Sequence, residues 1–317
     1  MSENKNFDLV TKKNLFITIP CAVLAVMLIV IAIFGAEVSI EFKGGTILTY
    51  SYTGDMNLND VSSEVSTLGF GGAKVTKGSA FNSDMELINI AFSSNKGLNA
   101  DEQENVTGAL REKFPDNSVK IENNQNVNPT TGSRFFLKCL VAVLFSFLML
   151  MIYIAFRFKK ISGWSAGVFA LAALLVDVLM VVAAFVFFRL PIDANFMAVV
   201  LTIMGYSINS TIVVYDRVRE NRTLYGKKIT NRELINLSVR QSLTRAINTT
   251  VTTALAVVVI CVVAIVFGVS SILSFAFPML VGLISGVYTS LCLSGTLWVT
   301  WQEYKEKKAA ETKLKKA

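Results

Sequence analysis

Of the chain's 317 residues, 53% are hydrophobic and only 17% charged, and the mean hydropathy is +0.53, which places it among integral membrane proteins rather than soluble domains. The net charge of +7 is divided among four separate basic clusters, a distribution that sets membrane topology and excludes a nucleic-acid partner. The chain has no histidine, so the commonest metal ligand and general base is missing. No cofactor, metal site or enzymatic activity is expected.

Six apolar runs, each near the roughly 20 residues needed to cross a bilayer, occupy 14–35, 135–156, 164–188, 194–215, 247–267 and 272–298. The first is too long for a signal-peptide core and no small-residue cleavage site follows it, so it is expected to remain as a span. The basic clusters are Lys5, Lys12 and Lys13; Arg157, Lys159 and Lys160; the loop 217–246; and the tail 299–317, with its lysines at 305–316. The positive-inside rule puts all four, and therefore 1–13 and both termini, in the cytoplasm. The segment 36–133 then lies outside. Short outer turns are expected at 189–193 and 268–271. Within the inner loop, Leu234, Ile235, Leu237 and Val239 predict an amphipathic helix lying on the membrane surface.

The outer segment 36–133 reads as one small α+β domain. Alternation over 46–53 predicts a strand, and Leu58, Val61, Val65 and Leu68 predict a helix capped by Asn57 or Asn59. Gly69, Gly71 and Gly72 stop that helix, and a strand starts at 73–75. A further strand is predicted at 85–92, a helix at 99–114 ended by Pro115, and a last strand at 118–127. The order β-α-β-β-α-β is ferredoxin-like. Cys21, Cys139, Cys261 and Cys292 all fall in predicted spans, which favours apolar packing over a disulfide framework.

Polar residues inside the spans are the candidate functional groups, because hydrocarbon makes them costly. In the fourth span Tyr206, Asn209 and Ser210 share one helical face; in the fifth, Gln241, Arg245, Asn248, Thr249 and Thr252 do. Interhelical hydrogen bonding accounts for these as readily as ion passage, and Arg245 lies near enough to the boundary to snorkel. Asp177 is the one acid deep within a span, at a cost on the order of 3 kcal/mol; it serves either proton or cation handling or a structural hydrogen bond. Asp193 is the expected N-cap of the fourth span. Asp216, Arg217, Arg219 and Arg222 form a cluster at the inner end that either sets topology, as inner arginines do, or fixes this end through helical ion pairs, for which Asp216, Arg219 and Glu220 are regularly spaced. Gly282 and Gly286 form a GxxxG, which most often marks helix packing.

The run 205–222, GYSINSTIVVYDRVRENR, resembles the fourth-span signature of the SecF branch of the SecD/SecF family of protein-export subunits. Asp216, Arg217 and Arg219 belong to it. Glu41-Phe42-Lys43-Gly44-Gly45 resembles the family's D-F-x-G-G after the first span. Asn128-Pro129-Thr130-Thr131-Gly132 resembles the V-G-P-x-x-G element before the second, and 242–250 resembles S-L-S-R-T-I-N-T-S at the fifth. The resemblance implies a polytopic helical membrane protein, a six-helix half-bundle like those of the RND superfamily with its ferredoxin-like domain between the first two spans. It also implies residence in the bacterial plasma membrane and action with SecD, the SecYEG channel, exported polypeptide and membrane lipid, driven by an ion gradient. Two positions depart from the family. Ser210 stands where an aspartate is usual, and Val176 precedes Asp177 where many members have histidine. Proton passage through Asp177 and the partner, sodium bound by Asn209, Ser210 and threonines, and a mainly structural subunit are the three readings left open.

Overall fold

The computed structural model describes residues 8–69, 73–78, 86–92, 97–226, 228–267 and 269–314; Lys5, Gly71, Gly72, Met85, Gly268 and the end of the tail lie outside them. In chain order, α1 (Lys13–Phe34) leads to a single turn, α2 (Ile40–Lys43). Then follow β1 (Gly45–Tyr52), α3 (Leu58–Thr67), β2 (Ala73–Gly78), β3 (Glu86–Phe92), α4 (Ala100–Lys113) and β4 (Lys120–Val127). The remaining helices are α5 (Pro129–Arg157), α6 (Gly163–Phe187), α7 (Ala194–Tyr225), α8 (Asn231–Val266) and α9 (Ser270–Tyr288). The last continues through a π-helical turn, Thr289–Ser294, into α10 (Gly295–Leu314). Among the described residues, six helical stretches are long and apolar enough to cross a membrane.

The segment between the first two spans forms the β-α-β-β-α-β unit, a sheet domain whose antiparallel strands run in the order β2-β3-β1-β4. Alternation decides its core. Leu48, Tyr50 and Tyr52 of β1 and Ile88, Ile90 and Phe92 of β3 are buried with Val61 and Val65 of α3 and Val106 and Leu110 of α4. Asn57 caps α3, and Asn99 with Glu102 forms a capping box on α4, satisfying amides that the first turn leaves open. The edge strand β4 is polar and exposed along nearly its whole length.

Where this domain meets the spans, sequence-distant segments interlock. Ser39 caps α2, and Phe42 packs on Phe135 and Phe136 of α5 at 5.6 and 5.2 Å between ring centres. Pro129 opens α5 in its first turn, after the Asn128 cap. A Cβ on Gly132 would lie 2.9 Å from the Glu41 carbonyl oxygen, so only glycine lets α5 approach so closely. Gly45 has φ +140°, and a Cβ there would lie 2.3 Å from the Phe92 carbonyl oxygen. Neither constraint tolerates a side chain. Gly44, also at positive φ, ends α2. The α6–α7 turn joins in as well. Val38 and Ile192 form a parallel bridge, the Ile192 amide donates to the Glu37 carbonyl at 2.7 Å, and the Ala194 amide donates to the Glu41 carboxylate at 2.9 Å. Glu37 pairs with Arg189 at 2.8 Å and with Lys74 of β2. Partial burial pushes the Glu37 carboxyl up, but the two cations outweigh it and hold it below the usual range.

The opposite end departs from the expected inner loop and surface helix. Helix α7 runs on to Tyr225 and α8 begins at Asn231 with a Thr230–Glu233 capping box. At 36 residues, α8 is about 54 Å long, well beyond the roughly 30 Å hydrocarbon core. Its first turns therefore project past the membrane beside the end of α7. Leu234, Ile235 and Val239 do not lie on a lipid surface; they are buried against Tyr215, Val218, Trp298 and Val299, with Leu9 and Val10 from before α1. Asp8 accepts hydrogen bonds from Arg232 and from Asn236 (3.2 Å), clasping the two segments. Cys261 is buried, but Cys21 is exposed and Cys139 and Cys292 are half-buried; all four are free.

The close approach at Gly45 yields a paired test. Gly45→Ala should destabilise the protein by about 2 kcal/mol or more. Gly108→Ala, in α4 with open space around it, should stabilise it by about 0.5–1 kcal/mol. Denaturant unfolding of the full chain checks both; equal effects would contradict the steric account.

Candidate functional site

Asp177 sits midway along α6, fully buried. Three hydroxyls from two other helical segments converge on it. Ser207 of α7 donates to one carboxylate oxygen at 2.5 Å and Ser285 of α9 to the other at 2.5 Å. Thr289, in the π-helical turn, lies 2.9 and 2.8 Å from the two. Each oxygen is thus satisfied by neutral donors, which offsets part of the cost of burying the group.

Close packing makes this convergence possible. A Cβ on Gly282 would lie 2.6 Å from Ile203 and 2.9 Å from Val181, and one on Gly286 would lie 3.2 Å from the Ser207 Cβ. The GxxxG of α9 therefore brings its backbone against α6 and α7, with Ser285 and Thr289 aimed at the acid. The π-helical turn then keeps consecutive residues facing inward; Thr289 and Ser290 are both fully buried. Such turns recur at functional sites. Below the acid, Thr211 and Ser290 share a hydrogen bond of 2.9 Å. Ser290 donates to the Ser207 carbonyl at 3.2 Å, and Tyr215 donates to the Ser294 carbonyl at 3.4 Å. A ladder of hydroxyls thus joins α7 to the sixth span from Asp177 towards the end remote from the sheet domain.

The two polar stripes lie elsewhere. Asn209, Arg245, Asn248 and Thr249 are exposed on the surface of this chain, and Ser210 is half-buried and donates to the Tyr206 carbonyl at 3.4 Å. Tyr206 reaches Thr250 at 3.0 Å, tying α7 to α8. Thr252 bonds back to its own helix. Asn209 and Arg245 line one cleft of about 420 Å³ with Asp216, Arg217, Glu220 and Gln241. Among the described residues Arg245 makes no ion pair. Asp193 caps α7 through the Phe196 amide at 3.0 Å. Asp216 pairs with Arg219 at 2.9 Å and with Arg157 of α5 at 3.1 Å, and Arg217 pairs with Glu220 at 2.6 Å while donating to Gln241 at 2.7 Å. The acid/arginine cluster at the end remote from the sheet domain thus pins α5, α7 and α8 together.

The isolation of Asp177 within a span was legible in the sequence; its hydroxyl shell was not. Ser207 with Thr211, and Ser285 with Thr289, stand at i, i+4 spacing in the sequence. That signal is the one used for the exposed stripes, but serine and threonine within apolar runs carry it faintly.

A family described as protein export membrane protein SecD/SecF, C-terminal, matches residues 106–304. The chain belongs to the SecD/SecF family. The matched stretch contains Asp177 and the whole hydroxyl shell. Translocase subunit SecF of Alicyclobacillus acidocaldarius is 31% identical, the match covering 96% of this chain and 95% of that protein. SecDF of Bacillus subtilis is also 31% identical over 96% of this chain, which spans only 39% of that longer protein. A crystal structure of SecDF, a translocon-associated membrane protein from Thermus thermophilus, aligns with a TM-score of 0.77 at 26% identity, over 94% of this chain and 39% of that one. The six-span arrangement with its small sheet domain is thus the fold of SecD/SecF proteins.

A double-mutant cycle tests the Asp177 shell. Asp177→Ala and Ser285→Ala should be non-additive in unfolding free energy by about 1.5 kcal/mol, near the top of the range for hydrogen bonds between membrane helices. Asp177→Ala with Thr252→Val should be additive. Additivity in the first pair would contradict the shell.

Proposed function

We propose that this chain is an accessory subunit of the Sec protein translocase. With a SecD-type partner and the SecYEG channel, it uses an ion gradient to promote late-stage export of polypeptides across the plasma membrane. The observation that carries the proposal is Asp177, a carboxylate buried among three hydroxyls from two neighbouring spans at a depth where a merely structural helix would carry an apolar residue. Both its oxygens accept. Adding a proton turns one of them into a donor, so at least one hydroxyl must rotate or withdraw. Because Ser207, Ser285 and Thr289 belong to packed helical segments, that local change bears on the spacing of α6, α7 and the π-helical turn. A membrane potential supplies about 2.3 kcal/mol per charge per 100 mV, comparable with one such rearrangement.

The polar face of α7 and α8 supports the partnership. Asn209, Ser210, Arg245, Asn248 and Thr249 carry a charge and several amides and hydroxyls at or near the surface of spans, where lipid cannot satisfy them. A partner half-bundle covering this face, with a carboxylate opposite Arg245, satisfies them and supplies the acid that Ser210 lacks. The termini lie on the cytoplasmic side in this reading, supported by the arginines gathered at the end remote from the sheet domain. The link between Glu37, Glu41 and the α6–α7 turn gives motion in α6 a direct route to the outer domain.

The test is export from reconstituted vesicles containing the translocase, the SecD-type partner and this chain, with and without an imposed proton gradient. Asp177→Asn should abolish the whole gradient-dependent increment while leaving ATP-driven export unchanged. An undiminished increment in that variant would overturn the assignment of the ion path to Asp177, and export stimulation that survives loss of every gradient would identify a passive scaffold.

A further inference from the structure

At the end of the bundle remote from the sheet domain, a second cavity of about 600 Å³ opens between the α5–α6 turn, the α7–α8 connection and α10. It is separate from the Asp177 shell, and Arg222, the last residue of the 205–222 run, lines it. One wall is a closed network: Arg222 donates to Asn231, and Asn231 donates to Glu306 at 3.0 Å. Two further charges face the cavity without such partners. Lys160 enters from the α5–α6 turn and Glu303 from α10, and among the described residues neither makes an ion pair or a hydrogen bond. The Arg232 charge acts on Glu303 at a distance, but that guanidinium already holds Asp8. Trp298 and Ile161 line the cavity, and Trp298 donates to Ser165 at 3.3 Å.

The depth of this cavity is marked by aromatics. Trp164 at the start of α6 and Trp301 and Tyr304 on α10 are exposed by 67%, 46% and 55%, and Trp301 stacks with Tyr304 at 5.8 Å. Exposed tryptophan and tyrosine on spanning helices settle at the headgroup level of a bilayer. A cavity at that depth, offering one unpaired ammonium and one unpaired carboxylate, is complementary to a group that carries a phosphate and a primary amine together. We propose that it binds the headgroup of an aminophospholipid, the phosphate on Lys160 and the amine on Glu303. A purely anionic headgroup leaves Glu303 repelled. A choline headgroup brings a quaternary ammonium that cannot donate a hydrogen bond to the carboxylate.

The test is native mass spectrometry of the full chain in detergent, titrated with phosphatidylethanolamine, phosphatidylcholine or phosphatidylglycerol. Phosphatidylethanolamine should bind at least about fivefold more tightly than either, the scale of one partly exposed ion pair. Glu303→Gln should remove the preference over phosphatidylcholine, and Lys160→Gln should weaken all three lipids. Both side chains are at least partly exposed, and an unchanged melting temperature confirms that the variants fold. Equal binding of phosphatidylethanolamine and phosphatidylcholine, preferential binding of phosphatidylglycerol, or a preference that survives Glu303→Gln would each overturn the proposal. So would soluble phosphoethanolamine displacing the lipid at equal concentration, which would assign the cavity to a free ligand.

Discussion

The burial of one carboxylate organises the membrane part of this protein. Asp177 in hydrocarbon is tolerable only if both oxygens are satisfied, and the donors come from other helices: Ser207 on α7, Ser285 on α9 and Thr289 on the π-helical turn. Those helices must therefore approach α6 closely, and side chains must be absent where they do. Gly282 and Gly286 meet that requirement. The π-helical turn follows from the same demand, since it lets Thr289 serve the acid while Ser290 serves Thr211. All three hydroxyls act as donors to this one group, so under the proposed function one added proton changes the whole shell.

The sheet domain is joined rigidly to the spans. The sheet domain does not hang from flexible tethers. Its root is paired to the α6–α7 turn through Val38 and Ile192, held by Glu37 between Arg189 and Lys74, and locked to α5 by Phe42 and Gly132. The two stretches that flank the domain thus meet in one joint, although ninety positions separate Phe42 from Gly132. At the other end, Asp216 between Arg157 and Arg219 and Asp8 on Arg232 tie the helices together. The bundle is stapled at both ends, with Asp177 and its hydroxyl shell between them.

Much of this was legible from residues alone, because hydropathy and alternation report burial directly. The spans, the strand-helix order of the sheet domain, the Asn57 and Asp193 caps and the isolation of Asp177 all follow from patterns local to one element. What escaped depends on contacts between elements. Nothing in 285–290 announces a π-helical turn, and Ser207, Ser285 and Thr289 look like ordinary small polar residues in apolar helices until the glycines place them. The inner loop was misread for a related reason. Leu234, Ile235 and Val239 have the periodicity of a surface helix, but whether that apolar face meets lipid or protein depends on α10 and on Leu9 and Val10, which are far away in the chain. The stripe containing Arg245 was read correctly as one face; that it faces outward from this chain is a tertiary fact.

The central claim is that Asp177 exchanges a proton while caged by hydroxyls, and infrared difference spectroscopy of the protein with its partner in vesicles tests it most directly. Across a pH step, the spectrum should contain a carboxylic-acid carbonyl band that vanishes in Asp177→Asn and shifts in Ser285→Ala, because that hydroxyl bonds to the same group. A carbonyl signature identical in the native protein and in Asp177→Asn would contradict the account.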